Sequence, residues 1–221
     1  MRPPVNPLKL FIFIFILVIL LLILQIGLFT IVLDKLGLAP HSAMLLLIIT
    51  LIGSGINLPI TEIDIPADVE PRPNPFLPWL PLRQFPKTGK TIIAINVGGA
   101  LIPLLFSLYL ISISSLTIIQ IILAVGIVSL ICYGVSRPIQ GLGIGMPIFI
   151  APFTAAITAI LISPQNSAPL AYICGTMGVL IGADILRIKD IPQLGAPIAS
   201  IGGAGTFDGI FLTGIVAVLL A

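Results

Sequence analysis

Several uncharged apolar runs of this chain reach the roughly 20 residues that a helix rising 1.5 Å per residue needs to cross about 30 Å of hydrocarbon. The first of them extends from Leu10 to Leu33. A buried core helix has no need of such length, so these runs set the class of protein before any motif is considered. Composition agrees: of 221 residues, 58% are hydrophobic and only 8% charged, against about a quarter charged in a soluble domain. The first run is longer than the apolar region of a signal peptide and ends in no small-residue cleavage site, so it reads as a retained helix.

Hydrophobic windows punctuated by Pro, Gly and charge predict spans at 10–33, 41–58, 91–113, 115–135, 147–163, 168–186 and 203–221. The fold expected is all-α: a polytopic transmembrane helix bundle of about seven helices, with residues 1–221 forming a single domain. A polar stretch from Pro59 to Lys90 follows the second span and carries prolines at 59, 66, 71, 73, 75, 78, 81 and 86, which rule out a continuous helix. Its first residues, Ile60 to Ile65, partly alternate and suit a short strand, and Pro78-Trp79-Leu80 suits an interfacial anchor.

Lys and Arg are retained on the cytoplasmic side, so their distribution predicts orientation. With the N-terminus inside, Arg2, Lys9, Arg72, Arg83, Lys87, Lys90, Arg137, Arg187 and Lys189 are cytoplasmic, and Lys35 alone is outside. The expected location is therefore the cell membrane, multi-pass, with the C-terminus outside and the lipid bilayer as surroundings. Cys132 and Cys174 lie in apolar segments without partner ligands, and His41 is the single histidine, so neither a disulfide nor a metal site is expected. No cofactor is implied. A net charge of +2 does not suggest nucleic acid.

Five of the eight acidic residues, Asp34, Glu62, Asp64, Asp68 and Glu70, fall in loops, and Asp190 follows Lys189 in another. Asp184 and Asp208 remain. The first lies about one turn before the cytoplasmic end of the sixth span, the second about a turn and a half inside the seventh. An ionised carboxylate in hydrocarbon costs at least about 2.5 kcal/mol, so such groups face a cavity or a partner. Consecutive antiparallel spans bring both aspartates to the same membrane face at similar depth. Gly178 and Gly182, and Gly205 and Gly209, place small residues beside them and permit close helix approach. Two carboxylates so placed share one proton and can activate a water as base and acid. Structural alternatives are an Asp184–Arg187 pair at i, i+3, and Asp208 as a helix cap or hydrogen-bonded to Thr206.

Asn96-Val97-Gly98-Gly99, with Pro103 beyond, interrupts the third span, and Arg137 to Pro147 separates the fourth from the fifth. Non-helical backbone at such depth is buried in protein or lines water, as in the broken helices of transporters. The glycines between 141 and 145 lack the Gly-Lys-Ser/Thr ending of a phosphate loop and suit a re-entrant turn.

The run Leu194-Gly195-Ala196-Pro197-Ile198-Ala199-Ser200-Ile201-Gly202-Gly203-Ala204-Gly205-Thr206-Phe207-Asp208-Gly209-Ile210-Phe211-Leu212-Thr213-Gly214, with Ile181-Gly182-Ala183-Asp184 before it, resembles an uncharacterised prokaryotic membrane family, a domain of unknown function. The resemblance covers nearly the whole chain and implies no established activity. A more distant similarity is to the GxGD intramembrane aspartyl proteases, which carry one aspartate on each of two consecutive helices near the cytoplasmic face. It implies Asp184 and Asp208 as the catalytic pair. Thr206 and Phe207 stand between Gly-Ala-Gly and Asp208, Ala183 stands where that family has Tyr, and no Pro-Ala-Leu element follows.

The leading functional expectation is a membrane-embedded aspartyl hydrolase that cuts membrane-spanning peptides with Asp184 and Asp208, Gly205 and Gly209 allowing close approach. The stretch from Pro59 to Lys90 is a candidate to present substrate as an added strand. The rival is an ion- or proton-coupled transporter or channel with Asp208 as its ion site and Asn96, Gly98 and Gly99 in the pathway. A non-catalytic scaffold is the third.

Overall fold

The computed structural model describes residues 16, 27–28, 30–32, 34–64, 90–139, 143–194, 198–203 and 209–221. Most of the span expected over 10–33, the Pro-rich stretch over 65–89, and Gly205, Thr206 and Asp208 lie outside the described residues.

Residues 27–28, 30–32 and 34–35 are helical. Six further α-helices follow among the described residues: α1 (Pro40–Ser54), α2 (Ile102–Ile113), α3 (Ile118–Val135), α4 (Ile150–Ile162), α5 (Ser167–Val179) and α6 (Gly209–Leu220). Local chemistry sets several of their ends. Pro40 occupies the first turn of α1, where its missing N–H breaks no helical bond. A reciprocal cap opens α3: Thr117 Oγ1 accepts from the Gln120 amide at 3.3 Å, and Gln120 Oε1 accepts from the Thr117 amide at 2.9 Å. Two stretches wind as π-helix, Val97–Leu101 ahead of α2 and Leu180–Ile185 continuing α5.

The all-α expectation requires correction, because the described residues include five strands: β1 (Asn57–Asp64), β2 (Lys90–Asn96), β3 (Arg137–Ile139), β4 (Gly143–Gly145) and β5 (Ile198–Ile201). The strand expected at Ile60 is part of β1. Residues 91–96, expected as helix, form the centre of a sheet ordered β1-β2-β5, antiparallel to β1 and parallel to β5. The reason is physical: a central strand covered on both faces is continuously apolar, so Ile92, Ile93, Ala94 and Ile95 carry no alternation to separate strand from buried helix. Likewise the expected span 41–58 ends as helix at Ser54, and Arg137 to Gly145 pairs as the β3–β4 hairpin.

Among the described residues two helical stretches are long and apolar enough to cross a membrane, Ile118–Val135 and the combined Pro164–Ile185, and four shorter apolar helices have between 10 and 17 residues. Only 33% of Ile118–Val135 is buried, although it is strongly apolar and carries no charge. Its exposed Ile118, Ile119, Ile122, Leu123 and Leu130, with Leu45, Ile48 and Ile52 on α1, give the bundle an apolar exterior. Small polar groups lie inside: Thr50, Ser107, Thr158, Thr176 and Thr213 are all buried. Ser107 and Thr176 share a 2.8 Å hydrogen bond, and Thr176 donates to the Tyr172 carbonyl at 2.8 Å. Apolar outside and hydrogen-bonded polar inside supports association with a membrane.

Helix α5 is central, packed by α2, α3, α4 and α6. At one end of the bundle Lys35 donates to the Val218 carbonyl at 3.3 Å, a cation on the last turn of α6, and Ser167 donates to the Ala221 carbonyl at 3.1 Å. At the other end lies the sheet. Its Lys90–Glu62 pair, 3.1 Å, raises the Lys90 pKa, first through that hydrogen bond and then through the charges of Glu62 and Asp64. The raised value means the pair favours folding at neutral pH and stops doing so as pH climbs through the Lys90 pKa.

Gly98 tests the packing. A Cβ there overlaps the Thr50 carbonyl oxygen and the Ser54 amide, whereas Gly126 has no atom within 4 Å of that position. Gly98→Ala is expected to destabilise the protein by about 1–3 kcal/mol, and Gly126→Ala to be neutral or stabilising by up to about 1 kcal/mol. Unfolding in detergent micelles measures both.

Candidate functional site

Where β2 becomes helix, the first turn's amides lack helical partners. Asn96, fully buried, supplies one: its Oδ1 accepts from the Gly99 amide at 2.7 Å. Its Nδ2 donates to the Ser54 carbonyl at 2.7 Å and to Asn57 Oδ1 at 3.0 Å, and Asn57 Oδ1 also accepts from the Ser200 hydroxyl. The Asn96 side chain thus joins the end of α1, strand β1 and the π-helix before α2, and Asn57 extends the network to β5.

The same junction receives the turn after β5. Gly202 and Gly203 have φ of +83° and +93°, a region that favours glycine. A Cβ on Gly202 would lie 2.6 Å from the Ala100 amide nitrogen, and one on Gly99 would overlap the Gly202 carbonyl oxygen. Backbone therefore meets backbone, and no side chain fits between. The Gly202 amide donates to Asp184 Oδ2 at 2.8 Å, so the π-helical end of α5 is tied to this turn through its carboxylate. Asp184 is half-buried.

Asp184 is held from both sides along its own chain. Two residues before it, Gly182 lies against α3, where a Cβ would overlap the Ser129 carbonyl oxygen and approach Cys132 Cβ to 3.0 Å. Three residues after it, Arg187 directs its guanidinium to Asp190 Oδ2 at 3.0 Å and to the Tyr133 and Ser136 carbonyls, both at 2.8 Å. The Asp184–Arg187 pairing suggested by i, i+3 spacing thus gives way to a different partner for the arginine. Carbonyls left open at the end of α3 and the Asp190 carboxylate take its donors instead.

Of the residues singled out from sequence, Asn96, Gly182 and Asp184 are described, and the junction brings Asn96 and Asp184 to opposite sides of the Gly202 turn. Gly209 begins α6 with open space at its Cβ position. Gly205, Thr206 and Asp208 lie outside the described residues. Sequence reasoning missed Gly202, Asn57 and Ser200. The Gly202-Gly203 pair was a visible turn signal, but the hydrogen bonds of Asn57 and Ser200 join strands remote in sequence. Among the described residues no group of three or more His, Cys, Asp or Glu could hold a metal ion.

A family described as a protein of unknown function, DUF1614, matches residues 51–220. The chain belongs to this family. The DUF1614 region takes in the whole sheet, both π-helical stretches, Asp184 and Asp208. It meets the expectation of an uncharacterised family. No curated protein and no solved structure matches the chain.

Asn96→Ala strands the Gly99 amide and the Ser54 carbonyl, and a loss of about 1–3 kcal/mol is expected. Gly202→Ala adds both a strained φ and an overlap, and is expected to cost at least as much. Unfolding midpoints of the two variants check the junction; wild-type values for both would show that it is not held as described.

Proposed function

We propose that this DUF1614 protein is a membrane-embedded aspartyl hydrolase, with Asp184 and Asp208 as its catalytic pair and membrane-spanning peptides as its substrates. One observation carries the reading: the Asp184 carboxylate accepts from the Gly202 amide at 2.8 Å, and six residues of chain lead from Gly202 to Asp208, where α6 begins at Gly209. The chain that leads to the second aspartate thus departs from a residue held by the first. In the mechanism, one ionised and one protonated carboxyl hold a water between them. The ionised group takes a proton as the water oxygen attacks the peptide carbonyl carbon, and the other protonates the carbonyl oxygen. Collapse of the resulting diol, with a proton delivered to nitrogen, breaks the C–N bond and leaves a carboxylic acid and an amine.

The orientation proposed is N-terminus inside and C-terminus outside, in a lipid bilayer. Lys90, Arg137, Arg187 and Lys189 belong to the end carrying the sheet and hairpin, and Lys35 belongs to the opposite end beside Val218. That separation is what the positive-inside rule expects of this orientation, and it supports a reading in which Asp184 faces the cytoplasm.

The rival transport reading draws on the interrupted helices. Yet three of the hydrogen bonds open to Asn96 are made within the protein, and Gly98 and Gly99 are covered by the backbone of α1 and of the Gly202 turn. These contacts favour a packing part for all three over a pathway.

Purified protein in micelles or liposomes should cleave single-span peptides. Asp184→Asn and Asp208→Asn should each lower the rate by at least about a hundredfold, with the folded fraction unchanged. No cleavage by the wild type, together with proton or cation flux in liposomes that Asp208→Asn abolishes, would replace the hydrolase with the transporter.

A further inference from the structure

We infer that Arg187 is a positioning residue for Asp184: by fastening the end of the π-helical turn to the last turn of α3, it sets where the Asp184 carboxylate lies. The inference rests on the hydrolase reading and adds a residue to it.

The guanidinium is unusually well held. Nη2 donates to the carbonyls of Tyr133 and Ser136, both at 2.8 Å, Nε donates to Ser136 Oγ at 3.2 Å, and Nη1 meets Asp190 Oδ2 at 3.0 Å. Its carbon lies 4.3 Å from the centroid of the Tyr133 ring. Those carbonyls belong to the C-terminal end of α3, where helical amide donors run out; the Ser136 hydroxyl donates to the Tyr133 carbonyl at 3.2 Å, and Arg187 adds a charged donor to each of the two carbonyls. The side chains of Arg187 and Asp190 are 19% and 28% exposed, shielded enough for the geometry to be held.

The backbone carries this anchorage to Asp184. The Arg187 amide donates to the Asp184 carbonyl at 3.2 Å, and the Leu186 amide to the Ile181 carbonyl at 2.9 Å, closing the π turn. Here the chain passes from π-helix into the 3-10 turn Ile188–Leu194. Three windings meet within a few residues, and none by itself fixes the direction of Asp184. Contact of Gly182 with α3 fixes the near side of the turn; Arg187 fixes the far side on the same helix. Asp184 is suspended between two attachments to α3, with its carboxylate on the Gly202 amide.

A lysine keeps the charge but, as a point donor, cannot reproduce the planar fork. The experiment uses the full-length protein with a membrane-spanning peptide, and counts competent sites by titration with a transition-state aspartyl inhibitor. In Arg187→Lys, kcat per titrated site should fall about tenfold or more, since small misplacements of a reacting group are costly, while KM stays within about twofold. Ser136→Ala, which removes one attachment from the other side, should give a smaller loss of the same kind and serves if Arg187→Lys fails to fold. Lys189→Gln, which removes the neighbouring exposed charge, should leave kcat unchanged. An unchanged kcat per titrated site in the folded variants, with fewer sites alone accounting for lost activity, would make Arg187 purely structural and overturn the inference. An equal fall in Lys189→Gln would assign the effect to charge and overturn it too. A wild type that neither cleaves nor binds the inhibitor overturns the hydrolase reading, and this inference with it.

Discussion

A strand that turns into a helix within apolar surroundings leaves amides and carbonyls unpaired at the junction, and water is not there to take them. In this protein Asn96 resolves that problem for four segments together, accepting from Gly99 and donating to Ser54 and Asn57. The rest of the sheet end depends on it. Without a buried side chain able to donate and accept at once, α1 could not end where β2 becomes π-helix, and the Gly202 turn would have no close-packed floor to rest on.

Glycine provides the other half of the junction. Gly98, Gly99 and Gly202 let backbones approach to distances that any Cβ would prevent, so direct backbone packing replaces side-chain interdigitation. The same device recurs where α5 and its π-helical extension lie against α3 at Gly178 and Gly182. Asp184 sits between these two close-packed regions. Its carboxylate therefore has a defined place, suspended between packed backbones with a backbone amide as partner.

Much of the helical architecture was legible from residues alone. The apolar windows expected over 115–135 and 147–163 contain α3 (Ile118–Val135) and α4 (Ile150–Ile162), because an uncharged apolar run of that length needs no distant partner to be seen. Asp184 stood out because a carboxylate in an apolar segment demands a reason. The sheet was hidden because β2 is buried on both faces, which erases the alternation by which strands are recognised, and because its partner β5 lies about a hundred residues away. Nor could spacing reveal the part taken by Arg187. Its position three residues after Asp184 suggested a pair on one helix face, whereas its donors go to Asp190 and to carbonyls at the end of α3.

The sequence by itself pointed to apolar surroundings: long apolar runs and few charges. These are sums over local composition, and no knowledge of contacts is needed to read them. Tertiary structure alone decided which polar groups meet. Asn96 with Asn57, Asp184 with Gly202, and Arg187 with the end of α3 are each set by how separate elements pack. Hydrogen bonds act over about 3 Å, and no pattern along the chain states which distant residues folding will bring within that reach.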